Sequence, residues 1–188
     1  MPVPGGLGTR SVLIANASSV DVEYELDFYG PDGVEEALLS EVIPARGVAV
    51  VDVGAITPAP AAVHVVSTGP VAGFVRTQEA GSTSLTSGAT VQASRWLLPG
   101  AGSIEGGFGS VVVFNPGIEQ ATFTLTARRG RSEAVSWTIE AGDILEVETF
   151  ETQAHGYVVE GDRPLVVLWT ISDGLVSASS IGTPLDDG

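Results

Sequence analysis

Two hexapeptides, Ser11–Asn16 (SVLIAN) and Ser110–Asn115 (SVVVFN), recur 99 residues apart, and their surroundings recur with them. Each follows a Pro-Gly pair, Pro4-Gly5 and Pro99-Gly100. Tyr24, Leu26 and Phe28 match Phe123, Leu125 and Ala127 at the same spacing of 99. Ile43-Pro44-Ala45 matches Ile139-Glu140-Ala141 at 96, and Val63, Val65 and Pro70 match Tyr157, Val159 and Pro164 at 94. The spacing shrinks in steps, as it does when loops lose residues and strands keep theirs. Coincidences in this order predict a tandem duplication, with one copy over residues 1–94 and the other over 95–188.

The periodicity inside each copy is that of strands. Val20 to Phe28 alternates apolar and acidic residues without a break. Period two puts Val20, Val22, Tyr24, Leu26 and Phe28 on one face and Asp21, Glu23, Glu25 and Asp27 on the other. The second copy repeats the pattern with Thr122, Thr124 and Thr126 outside. Val48–Val53, Val111–Phe114 and Leu165–Trp169 are apolar on both faces, so they read as central strands or strands facing a neighbour. Turn signals separate these runs at Gly30–Gly33, Gly69-Pro70, Glu140–Asp143 and Gly161–Pro164. Val34–Val42 has a mildly helical composition, but its setting favours a strand. The expected fold class is all-β, with two tandem immunoglobulin-like antiparallel β-sandwiches. The joint at Gln92–Leu98 has no flexible spacer, and Trp96 is expected to pack across it.

Composition removes several functions. The chain has no Cys, which excludes disulfides, thiol catalysis and Cys-based zinc sites. Its formal charge is −15, and phosphates repel such a surface, so no nucleic acid partner is expected. No apolar run approaches the roughly 18 residues of a membrane span, so no transmembrane segment is expected. The start, MPVPGGLGTR, has no basic and apolar leader pattern, so no signal segment is expected in this chain.

The copies share a ΦPG turn, then SVΦΦxN, an alternating strand, an I-x-A turn and V-x-V ending at Pro. The second copy spells this as RWLLPGAG, VVVFNPG, TIEAGD and GYVVEGDRPLVVLW. In these motifs the chain resembles an uncharacterised actinobacterial family of secreted or envelope proteins built from tandem immunoglobulin-like repeats. The resemblance implies an extracellular or cell-envelope location and brings no catalytic residue with it. The first copy departs from the pattern at Ala17-Ser18, where the second has Pro116-Gly117, and has no Trp matching Trp96.

The candidate chemistry is sparse. His64 and His155 occupy non-equivalent places, and no G-x-S-x-G elbow is present, so the chain is expected not to be an enzyme. Gly106–Gly109 precedes a strand rather than a helix, and the chain has no Lys, so it is no phosphate loop. Alternate carboxylates about 6.8 Å apart on a strand cannot chelate one Ca²⁺ without help from loops, so no metal or cofactor is expected. Three surfaces remain. Trp137 and Tyr157 could stack on sugar rings if exposed, which makes envelope glycan recognition the alternative function. Asp21, Glu23, Glu25 and Asp27 form an acidic face. Arg128, Arg129 and Arg131 form the only basic cluster, at a hairpin tip, able to meet an acidic partner or the acidic face of another copy. The first expectation is therefore a non-catalytic module acting as structural scaffold or protein-interaction surface, with other envelope proteins, copies of itself or glycan as partners.

Overall fold

The computed structural model describes residues 2–3, 9–30, 33–56, 61–79, 82–101, 108–128, 134–149, 156–172 and 177–185. All regular structure among them is β. The first half contributes β1 (Pro2–Val3), β2 (Thr9–Ala15), β3 (Val22–Gly30), β4 (Gly33–Ile43), β5 (Val48–Asp52), β6 (Ala61–Ser67), β7 (Ala72–Glu79) and β8 (Ser82–Ser87). The second contributes β9 (Ala93–Pro99), β10 (Phe108–Phe114), β11 (Ala121–Ala127), β12 (Val135–Ile139), β13 (Ile144–Thr149), β14 (Gly156–Ser172), β15 (Ser177–Ile181) and β16 (Thr183–Pro184).

Every strand pairing among the described residues is antiparallel. The first half forms two sheets, in the orders β1-β6-β3-β4 and β5-β2-β7-β8. The pairings of the second half give β9-β14-β11-β12 and β13-β10-β14-β15, the same order strand for strand, with β16 added outside β9. β6 and β7 are consecutive yet lie in different sheets, so the chain crosses between the two layers there.

Alternation decides which faces meet. On β3, Val22, Tyr24, Leu26 and Phe28 are buried while Glu23 and Glu25 are exposed. Tyr24, Leu26, Phe28, Ile43, Ala61 and Val63 from one sheet pack against Val12, Ile14, Val51, Val53 and Val75 from the other. The second core is built the same way. It joins Trp96, Leu98, Phe123, Leu125, Tyr157 and Val159 to Val111, Val113, Val147 and Val167. Burial of this kind contributes roughly 25 cal/mol per Å² of apolar surface. Val34–Val42 lies within strand β4, paired to β3 through a bulge between Leu26 and Phe28.

Three expectations change. Val48–Val53 is not a central strand or one covered on both faces; it holds the edge strand β5, and Val48 and Val50 are exposed. Gly161–Pro164 is not a turn. It is a bulge inside β14, where the strand leaves β11 and β9 and crosses to β10 and β15. A Cβ on Gly161 would come within 2.9 Å of the Arg163 carbonyl and of the Leu165 side chain, so the kink needs a residue without one. Pro164, which has no N–H, falls where no ladder bond is required. Trp96 does not bridge the halves; it is fully buried in the second core, and its indole N–H donates to the carbonyls of Ala93 (2.9 Å) and Leu165 (3.1 Å).

The halves are joined by a third apolar cluster. Val112, Phe114, Ile144, Val166 and Leu168 lie on the outer side of the sheet of β10, and they pack with Ala62 and the partly buried Tyr29 and Ala89. This is why Val111–Phe114 is apolar on both faces: one face fills the second core and the other meets the first half. Alongside, Thr86 on β8 donates to the Ser179 carbonyl on β15 (2.9 Å), and Ser84 and Ser179 share hydroxyl contact at 3.2 Å.

Candidate functional site

The acidic face lies on the outer side of β3, between β4 and β6. Its members have different duties. The Asp21 carboxylate accepts the Ala45 N–H at 2.9 Å, so it holds the turn before β5. Glu23 and Glu25 are exposed. The Glu23 N–H donates to the Thr68 hydroxyl at 3.1 Å, which seats the end of β6. Asp27 is cross-strand to His64, with Oδ2 3.3 Å from Nδ1. Val42 (54% exposed) is opposite Glu23 and Val66 (46% exposed) is opposite Glu25. The face therefore offers apolar surface as well as charge. In the second half Thr122 and Thr124 stand at the matching places, and Asp162 takes over the role of Thr68 by accepting the Thr122 N–H at 2.9 Å.

His64 also borders a cleft of about 290 Å³ at the joint between the halves, whose walls include Tyr29, Thr90, Gln92, Phe114 and Pro116. Tyr29 and Phe114 meet there from opposite halves, with ring centres 5.2 Å apart at 54°. The Asp27–His64 pair is the one pairing of a carboxylate and an imidazole among the described residues. Among the described residues no Ser or Cys lines the cleft, whose hydroxyls come from Thr90 and Tyr29, and the Asp27 and His64 side chains are substantially solvated (32% and 58% exposed). Among the described residues no three His, Cys, Asp or Glu gather where they could hold a metal ion. No helix among them is long and apolar enough to cross a membrane.

The other candidates separate. Tyr157 is 5% exposed and part of the second core, so its ring is closed to a sugar. Trp137 is half-buried against that core and stacked on Phe123 (5.6 Å, 21°), which covers one ring face. The two do not form a joint aromatic platform. Arg128 is exposed, with its N–H bonded to the Gly156 carbonyl at 2.8 Å; Arg129 and Arg131 lie outside the described residues, as does His155.

Two polar features were not singled out from the sequence. Arg10 is 2% exposed, and burial lowers its pKa while the charges of Asp52 and Glu146 raise it. Glu146 belongs to the second half, where it accepts the Ser110 hydroxyl at 2.5 Å, so Arg10 is an electrostatic link across the joint. The second feature is the Asn that ends each hexapeptide. The Asn16 amide donates to the carbonyls of Val20, Ile43 and Pro44 (2.8, 3.2 and 3.2 Å), and its Oδ1 accepts the Ser18 N–H (2.9 Å). The Asn115 amide donates to Glu119, Ile139 and Glu140 (2.8, 3.3 and 3.0 Å), and its Oδ1 accepts the Gly117 N–H (3.0 Å). Every partner matches at the spacings seen in the sequence. A residue that ends an apolar run and stands at the same place in both halves was the available signal.

Comparison with known proteins gives one family match: the model described as "Family of unknown function (DUF5719)" covers residues 7–180. No curated protein matches. A crystal structure of Thermotoga maritima 1070 is similar at 15% identity, with a TM-score of 0.40 over 51% of this chain and 97% of that one.

Proposed function

The chain belongs to the DUF5719 family, whose function is unknown, and from its own surfaces we propose that it is a non-catalytic interaction and scaffold module. In this reading it consists of two tandem β-sandwiches of immunoglobulin-like size, and it serves an extracellular or envelope protein, the setting carried by its motif resemblance. The equal strand orders and the paired Asn networks support the duplication. The observation that carries the interaction reading is the exposed strand face of Glu23, Glu25 and Asp27, bordered by exposed Val42 and Val66, on a body whose halves are packed together. A rigid body with one acidic, partly apolar face suits a basic protein partner. Long-range attraction to such a face is screened at physiological salt over about 8 Å, so it guides encounter while the apolar neighbours hold the contact.

The test is binding of a cationic polypeptide such as polyarginine to the full chain, followed by titration calorimetry across salt concentrations. The triple substitution Glu23→Gln, Glu25→Gln and Asp27→Asn should weaken binding and flatten its salt dependence. An unchanged affinity and salt slope would remove the acidic face from the function. The non-catalytic part is checked separately with an activated ester: turnover by the wild type that disappears in His64→Ala would contradict it.

A further inference from the structure

The sheets β13-β10-β14-β15 and β5-β2-β7-β8 hold matching places in the two halves, yet the outer face of only one is covered. On the former, Val112, Phe114, Ile144, Val166 and Leu168 are at most 7% exposed, because they pack on the first half. Their counterparts by register are Leu13, Ala15, Val48, Ala72 and Phe74, at the spacings of 99, 96 and 94. None of these five is buried, and Val48 is 57% exposed. At two places the uncovered face is also the more apolar one. Val50 (57% exposed) stands where the second half has Glu146, and Leu85 (58% exposed) where it has Ser179. A strand face turned to water carries polar residues in alternation, as β3 does with Glu23 and Glu25.

The charges on this face are few and balanced. Leu13 lies between Val50 and Phe74 across the sheet. In the next row Ser11 lies between Asp52 and Arg76, and the Arg76 guanidinium donates to the Ser11 hydroxyl at 3.2 Å. No carboxylate among the described residues forms an ion pair with Arg76. Arg76 and Asp52 are the only charged side chains on the face among the described residues, so it is locally neutral on a chain of −15. Two such chains approach here with the least repulsion. Repeating the joint between the halves from one molecule to the next is less favourable. Gly142, where a Cβ would lie 3.7 Å from the Tyr29 ring, has Arg46 as its counterpart, and Tyr29 has Arg128. A head-to-tail contact would set these two exposed Arg side chains against each other.

We propose that the outer face of β5-β2-β7-β8 is a self-association surface that packs on the same face of a second molecule of this chain. A twofold axis parallel to the strands, between β2 and β7, sets Leu13 over Phe74 of the partner subunit. It also brings Arg76 within reach of Asp52 of the partner subunit, and symmetry makes each contact twice. The face measures about 19 by 17 Å, taking four strands at about 4.8 Å and about five residues at 3.4 Å. That is well below the roughly 800 Å² per partner of a standard interface, so the dissociation constant is on the order of 100 μM. This contact goes beyond the acidic face of β3 and does not depend on it.

The test is sedimentation equilibrium on the full chain from micromolar to millimolar concentration, which should show monomer and dimer alone. Salt should strengthen the dimer by screening the repulsion between two chains of −15, the reverse of an Arg-to-acid contact. Val50→Glu with Leu85→Ser puts the residues of the second half on this face. It should weaken the dimer about tenfold or more, because an unpaired carboxylate loses its water in the contact. Both side chains are exposed in the monomer, so the urea midpoint should stay where it is. Arg76→Glu alone and Asp52→Arg alone should each be monomeric, and an equal mixture of the two should dimerise again. A monomer at millimolar concentration overturns the proposal, as does a dimer indifferent to Val50→Glu with Leu85→Ser. A mixture that stays monomeric overturns the twofold arrangement. Mass that keeps rising beyond the dimer overturns it in favour of head-to-tail packing. Association that weakens with salt and is lost in the Glu23→Gln, Glu25→Gln, Asp27→Asn variant overturns it and leaves the acidic-face reading standing. A dimer that persists in that variant, without polyarginine binding to the wild type, separates the two in the other direction.

Discussion

Removing the carboxamide of Asn115 is expected to cost about 4 kcal/mol, and removing that of Asn16 about the same. Each carboxamide donates two N–H groups shared among three carbonyls and accepts one backbone N–H, three bonds' worth at about 1 kcal/mol net each, which gives about 3 kcal/mol. One of the three, at Ile139 or Ile43, belongs to a fully buried hydrogen bond, and leaving that carbonyl unpaired adds about 1 kcal/mol. At this chain length about 4 kcal/mol corresponds to a fall in Tm of roughly 8–16 °C. Asn115→Ala and Asn16→Ala are compared with wild type by urea unfolding, followed through Trp fluorescence and circular dichroism. Asn115→Asp is the sharper control. It keeps an acceptor for the Gly117 N–H but sets a second oxygen against three carbonyls, so it should cost at least as much as Asn115→Ala. A loss below about 1 kcal/mol in either Ala variant, or an Asp variant milder than Ala, would refute the assignment of the amide as the clamp of these turns.

Three further outcomes are expected. Arg46, exposed in the turn before β5, has φ 58°, where its counterpart Gly142 has φ 77°; Arg46→Gly should stabilise the chain by about 1 kcal/mol, read as a higher urea midpoint. Arg10→Met removes a buried cation that feels the charges of Asp52 and Glu146 and should cost about 3 kcal/mol, with part of that recovered when Glu146→Gln is added; additive losses would deny the link across the joint. Burial, and then the charge of Glu41 and the bond to it, raise the Tyr24 hydroxyl above its usual value of 10.0. The folded state thus holds this proton more tightly than the unfolded one. Its contribution is complete below pH 10 and is lost as pH rises through the folded value, so Tyr24→Phe should flatten the fall of stability above about pH 10.

What the sequence made legible depended on which interactions are local. Val22 to Phe28 alternates because β3 separates core from water, and that period can be read without knowing the partner strands. The same rule applied to GYVVE puts Tyr157 and Val159 inward and Val158 and Glu160 outward, so the burial of Tyr157 was available from its neighbours. Trp96 was misplaced because its position near the joint in sequence says nothing of the core that receives it across β14. The bulge at Gly161 has the same Gly and Pro signals as a turn, and only the strands on either side decide whether the chain reverses or crosses. Asp27 and His64 are 37 residues apart and meet through register alone. The link from Arg10 to Glu146 requires knowing how the halves face one another, which no periodicity records.

β14 has a consequence for how the molecule comes apart. In the first half β6 and β7 are separated by residues 68–71, so one sheet can fray while the other keeps its ladder. In the second half one unbroken strand belongs to both sheets, with β9 and β11 beside its beginning and β10 and β15 beside its end. Any opening that frees one end loosens the other, so native-state exchange should find the second half a single cooperative unit and the first half divisible. A chain built of two such halves can in this way hold two different thresholds for partial unfolding, with the lower one in the first half.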